Sequence, residues 1–288
     1  MKHWKKLAAL CLVLALALSL AACGFTPKLA RSAVEMEKIK SFHMDMELEL
    51  GVALTMMGQE SAVEMTVEES MDVQREPLTI AAQILTDVGE ERELAQSYLL
   101  PGENGVGYVL YVSADGGETW DRQRLSTSEL SEHTGYSGTL DQIAMLAKAA
   151  RSFNEVGTET VNGAPATRYD GELQGSFVTE ALENSGLMSS LGEQFGVELD
   201  AESLEISGGI PCSVWVDDAS GRVVRYEMDM AEAISSVWGT IMEQLSQDEA
   251  FSALTAMGLS LSISKAHVSA TLSRFDEIGE IVLPAVLE

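Results

Sequence analysis

The side chains that could move protons or hold a metal are plentiful in this 288-residue chain, but they are poorly grouped. His3, His43, His133 and His267 are scattered, and none falls in a ligand spacing such as H-E-x-x-H. No G-x-S-x-G elbow, P-loop or dinucleotide fingerprint accompanies them, so no catalytic residue, metal site or cofactor is assigned. Asp45, Glu47 and Glu49 alternate along one segment and would share one face of a strand. A solvated surface is the simpler reading of that face, and weak divalent-cation binding is the other. Cys212 lies in Pro211-Cys212-Ser213-Val214-Trp215-Val216, a strand-like run in which a small buried hydrophobe fits better than a nucleophile.

A different chemistry is written at the N-terminus. Lys2, Lys5 and Lys6 precede an apolar run from Leu7 to Leu20, the layout of a secretory signal. The run is too short for the roughly 20 residues that span a bilayer. It ends in Leu20-Ala21-Ala22-Cys23-Gly24, which resembles the lipobox of bacterial lipoproteins. That resemblance implies transfer of a diacylglyceryl group to the Cys23 thiol, cleavage that makes Cys23 the new N-terminus, and acylation by a chain such as palmitate. Two or more acyl chains hold a protein stably at a membrane surface. With Cys11 lost and Cys23 acylated, Cys212 is the remaining thiol and has no internal partner for a disulfide.

The net charge is −27, and removal of the three signal lysines leaves 15 basic against 45 acidic residues, or −30. Nucleic acid is excluded as a partner, because phosphate neutralisation needs clustered Lys and Arg. Anionic headgroups would be repelled as well, so the anchor rather than charge would hold the chain at the membrane. With 46% hydrophobic residues and a mean hydropathy of +0.07, the chain is not disordered.

The elements that must position these residues read as strands, a helical middle, and strands again. Leu29, Ala33, Met36 and Ile39 recur at helical spacing, suggesting a short helix that ends near Ser41. The period then becomes two: Phe42, Met44, Met46, Leu48 and Leu50 alternate with polar residues. Val63, Met65, Val67, Met71 and Val73 repeat the pattern, with Glu64, Thr66 and Glu68 opposite. Leu78 to Ile84, Glu93 to Leu99 and Tyr108 to Val112 continue an antiparallel meander. Ser126-Thr127-Ser128-Glu129 and Thr139-Leu140-Asp141-Gln142 fit capping boxes. Hairpins are expected at Asn162-Gly163 and across Asp217 to Gly221, with helices near Phe177 to Glu183 and Leu187 to Phe195. Ile234, Val237, Trp238, Ile241 and Leu245 mark an amphipathic helix, and two final strands run through Leu259 to Ile263 and Val268 to Leu272. The domain plan is a signal over 1–22, a lipidated tether and short helix over 23–40, and a single domain over 41–288.

Ser113-Ala114-Asp115-Gly116-Gly117-Glu118-Thr119-Trp120 resembles the Asp box of sialidases and other β-propellers, but it occurs once where a propeller repeats it. A structural hairpin is the expectation: Asp115 bonding turn amides and Trp120 packing behind them. A broader resemblance rests on Ser41-Phe42-His43-Met44-Asp45-Met46, Val161-Asn162-Gly163 leading to Tyr169, Val214-Trp215-Val216-Asp217 through Gly221 to Tyr226-Glu227-Met228-Asp229, and Phe275 to Pro284. These look like uncharacterised lipoproteins of Gram-positive bacteria, similar in layout to the LolA and LppX/LprG type. The resemblance implies an α+β fold in which a strongly curved antiparallel sheet, a half barrel, carries helices on its concave face. It further implies lipid or lipoprotein cargo between sheet and helices.

A Met-rich wall adapts to flexible apolar cargo better than an Ile/Val core does, although a methionine stripe more often means ordinary core filling. Candidate wall residues are Phe42, Met44, Met46, Met65, Val67, Met228 and Met230. The leading expectation is a non-catalytic lipoprotein on the extracytoplasmic face of the cell membrane, binding a lipid or glycolipid. The alternative is an acidic scaffold with a solid core, contacting an envelope protein.

Overall fold

The computed structural model describes residues 27–89, 91–127, 129–130, 153–174, 209–245 and 260–287. The strands are β1 (Ser41–Met56), β2 (Gln59–Arg75), β3 (Leu78–Val88), β4 (Glu91–Pro101), β5 (Tyr108–Ser113) and β6 (Asp121–Leu125), then β7 (Asn154–Val161), β8 (Ala164–Gln174), β9 (Gly209–Asp217), β10 (Val223–Asp229) and β11 (Ser260–Ser273). They form one antiparallel sheet in the order β6-β5-β4-β3-β2-β1-β11-β10-β9-β8-β7. Two meanders, one running out from β1 and one running back to β11, therefore join along the pairing of β1 with β11. The sheet is open, with β6 and β7 at its edges. This is the half-barrel class that the resemblance implied.

Among the described residues, two α-helices lie on the same face, here called the inner face. In α1 (Pro27–Glu37), Pro27 occupies the first helical position, where its missing N–H costs nothing. Leu29, Ala33 and Met36 form its buried stripe and share a core with Phe42, Met44, Val73 and Leu272 of the sheet. In α2 (Ala231–Leu245), the Asp229 carboxylate accepts the Ala231 amide at 3.1 Å, capping the helix start. Ala233 enters the same core, and the Met230 amide donates to the Ala266 carbonyl at 2.7 Å, tying the start of α2 to β11.

Most strand positions follow the alternation in the sequence. The Asn162-Gly163 hairpin has φ of 52° and 80°, the pair that a two-residue primed turn requires. The Ser126 box is reciprocal: the Ser126 amide donates to Glu129 Oε2 at 2.8 Å and the Glu129 amide to Ser126 Oγ at 3.2 Å. The second capping box and the helices expected near 177–183 and 187–195 lie outside the described residues.

The expectation of two final strands is corrected. β11 is continuous from Ser260 to Ser273, and its apolar phase flips because Gly51 pairs with Lys265 while Val52 pairs with Ile263. Ser264 is the extra residue of a β-bulge, so the parity change reads in sequence like a break. A Cβ on Gly51 would stand 2.5 Å from Ser264 Oγ, which explains glycine at the partner position. The sequence reading also omitted β6, whose Asp-Arg-Gln-Arg-Leu carries no apolar alternation and pairs with β5 alone as an edge.

Candidate functional site

The inner face is graded along the strands. Nearest α1, Phe42, Met44, Met71 and Val73 are closed into the core, Phe42 and Met44 at 0% and 3% exposure. Two to six residues further along β1 and β2, the same face is half-buried at Met46, Leu48, Val67 and Met65, and β3 adds Ile84. Met228, Met230 and Val268 pack against the border of the core. The candidate wall residues thus fall in two zones: Phe42 and Met44 belong to the packed floor, while Met46, Met65, Val67, Met228 and Met230 are half-buried beyond it.

One residue missed at the sequence level sits within that zone. β2 continues the apolar phase as Val63, Met65, Val67, Glu69, Met71 and Val73, so the pleat turns Glu69 onto the inner face. Across the sheet, Ile84, Glu69, Met46, Ala270, Tyr226 and Val214 form one row, each directly opposite the next. Burial raises the Glu69 carboxyl above its ordinary range. Burial pushes the Tyr226 hydroxyl up to about 12, and the fields of Cys212 and Glu69 add to the shift. Among the described residues, no hydrogen bond or ion pair reaches the Glu69 carboxyl. The available signal was this unbroken parity, which the abundance of glutamates in the strand obscured.

Cys212 is buried on the inner face of β9, and burial raises its thiol to about 12, with the Asp170 charge adding. At that value the thiolate needed for nucleophilic attack is nearly absent at neutral pH. The expected packing role therefore matches its placement.

The opposite face is polar. His43 Nδ1 lies 2.6 Å from Asp72 and His43 Nε2 3.2 Å from Asp45, while Arg274 stands 3.4 Å from Asp72. Lys265 pairs with Glu49 at 2.6 Å. Between these neutralised ends, Glu47 faces Glu68 across β1 and β2. They border a shallow hollow of about 410 Å³ lined as well by Asp45, Met46, Glu69, Ser70, Gln83, Leu85, Leu94, Ser269 and Thr271. No group of three His, Cys, Asp or Glu among the described residues is placed to hold a metal ion.

On the same face of β8, β9 and β10, Arg168, Trp215 and Arg225 are directly opposite one another. Each guanidinium carbon lies 5.0 Å from the centre of the Trp215 ring. Trp215 Nε1 donates to Glu159 at 2.9 Å, and Arg168 Nε donates to Asp170 at 2.6 Å. Arg225 is ion-paired with Glu227. The buried ring and the ion pairs made by both guanidiniums make this a structural cluster.

The Asp-box segment is the turn joining β5 to β6. The Asp115 carboxylate accepts the amides of Glu118 and Thr119 and the Thr119 hydroxyl, all within 3.0 Å, which holds its pKa far below the usual carboxylate range. Trp120 Nε1 donates to the Gly117 carbonyl at 3.1 Å, and its ring meets Tyr98 with centroids 5.6 Å apart. The side-chain hydrogen bonds of the motif are spent inside the turn, while the Gly116 amide donates to the Leu94 carbonyl of β4 at 2.9 Å. The lipobox residues Leu20, Ala21, Ala22 and Cys23 lie outside the described residues, as does His133. No helix among the described residues is long and apolar enough to cross a membrane.

No curated protein matches the sequence. Among solved structures, the chain is similar to the lipoprotein LppX of Mycobacterium tuberculosis, with 17% identity over 88% of this chain and 96% of that one and a TM-score of 0.41. It is similar to LprF from Mycobacterium bovis, with 13% identity over 90% and 98% and a TM-score of 0.47. A putative outer membrane lipoprotein-sorting protein domain from Vibrio parahaemolyticus aligns at 12% identity over 88% and 92%, with a TM-score of 0.19. Residues 29–152, which hold the whole of the first meander, match the model of a family of unknown function (DUF6612).

Proposed function

We propose that the protein is a non-catalytic surface lipoprotein, anchored through Cys23 at the extracytoplasmic face of the cell membrane, that binds an apolar ligand between sheet and helices. The observation that carries this reading is the half-buried continuation of the inner face, Met46, Leu48, Met65, Val67 and Ile84, beyond a core that α1 has already closed. A sheet face needed only for stability gains most by complete burial. Methionines on this stretch adapt to acyl chains of varied length and kink without a fixed cavity shape.

The test is native mass spectrometry of the chain lacking residues 1–23, with organic extraction of what co-purifies and titration with a fluorescent diacyl lipid. The expected result is a stoichiometric acyl adduct, displaced by the fluorescent lipid. A ligand-free protein that takes up no lipid would overturn the reading. The second reading, an acidic scaffold for an envelope protein, is favoured by the opposed Glu47 and Glu68 on the outer face, and it predicts that ligand-free outcome.

A further inference from the structure

Glu69 is an expensive residue for its position. Its row neighbours are Ile84 and Met46, and Val67 and Met71 flank it on its own strand. A carboxyl placed among such groups is costly unless something bonds it, and no described residue does. The next strands but one bring a second polar group to the same row. Tyr226 stands three strand spacings from Glu69, about 14 Å between backbones, with Met46 and the single methyl of Ala270 between them. Both stand on the inner face of that row, Glu69 half-buried and Tyr226 in the core at 7% exposure, and the field of the carboxyl reaches the tyrosine hydroxyl. The apolar wall thus carries an acid and a phenol in one row, on either side of Met46 and Ala270.

We propose that Glu69 and Tyr226 are the headgroup contacts of the apolar site, selecting neutral acyl lipids that carry both an ester carbonyl and a free hydroxyl, namely acylglycerols and their glycosides, over fatty-acid anions. This rests on the lipid-binding reading above. The Tyr226 O–H donates to the ester carbonyl. The Glu69 carboxylate accepts the lipid hydroxyl. A fatty-acid carboxylate offers no donor and brings a second negative charge beside Glu69, in surroundings too apolar to screen it. Removal of one partner from such a charge-assisted contact weakens binding by roughly tenfold or more.

The full chain, released from non-ionic detergent micelles in a native mass spectrometer, is offered equimolar dipalmitoylglycerol, its monoglucoside and palmitate at pH 7.5. The two neutral lipids are expected to be retained at least about tenfold over palmitate. Glu69→Gln is expected to cut that preference to within about threefold and Tyr226→Phe to weaken both neutral lipids, while Glu68→Gln, one residue away on the other face, leaves the preference unchanged. A glucoside bound better than the diacylglycerol places the glycosyl hydroxyls at Glu69, and the converse places the glycerol hydroxyl there; either supports the pairing. Equal retention of palmitate by the wild type, or a preference that survives Glu69→Gln in protein with wild-type circular dichroism, overturns this inference and leaves lipid binding standing. Retention of none of the three overturns both.

Discussion

Trp215→Ala is the most severe single change available on the outer face. The ring is 2% exposed and fills a small second core with Val161, Ala166 and Val224. Truncating a buried Trp to Ala costs about 3–5 kcal/mol in transfer and cavity terms. The two stacked guanidiniums add about 0.5–1 kcal/mol each, giving about 4–7 kcal/mol in all. Against the roughly 5–15 kcal/mol of a typical domain, that approaches the whole stability. Trp215→Phe separates the contributions, because it retains a ring between Arg168 and Arg225 and loses the Nε1 bond to Glu159 with only part of the ring volume. It is expected to cost about 1–2 kcal/mol. Urea titrations followed by circular dichroism, for both variants and for an Arg168→Ala/Trp215→Phe cycle, measure these values. A Trp215→Ala loss under about 2 kcal/mol, or a Trp215→Phe loss equal to it, would refute the sandwich as a structural keystone.

Four further outcomes are expected. Gly51→Val should destabilise by about 1–3 kcal/mol through the clash at the bulge, and Ser264→Gly should recover part of the loss in denaturant titrations. Glu69→Gln should leave stability unchanged at pH 4 and raise it progressively above pH 4.5 in thermal melts, because a carboxyl whose folded pKa is raised loses folding free energy as the unfolded chain ionises first. Asp115→Asn should accelerate amide exchange at Glu118 and Thr119; in the wild type, the depressed pKa keeps that protection as pH falls through the ordinary value of 3.8. Cys212 should resist an aromatic disulfide reagent at pH 8 and react at once in denaturant, since its thiol titrates near 12 in the fold.

The fold was largely legible because each long strand keeps period two over many residues. Phe42 to Leu50 and the Asn162-Gly163 turn could be read directly, since alternation and a left-handed turn pair are local properties. What escaped was non-local. The bulge at Ser264 is defined by its partner Gly51, more than 200 positions away, and the end-to-end pairing of β1 with β11 has no signature within either strand. Glu69 escaped for another reason: in a strand holding five glutamates or aspartates, a carboxyl on the apolar phase is easily counted with those on the polar phase. The methionine wall was identified as a set, but only burial could divide it into packed floor and half-buried continuation.

The pairing of the first strand with the last also fixes an order of events. A chain made N-terminus first can assemble β1 to β6 early, yet the free edge of β1 stays without a partner until Ser260 to Ser273 has emerged. For that interval the longest apolar strands expose unpaired backbone, the condition under which sheets recruit neighbouring chains. Closure over so large a sequence separation is also slow. The alternating acids of β1, Asp45, Glu47 and Glu49, then act as gatekeepers: they repel a second copy of the same edge while it waits for β11.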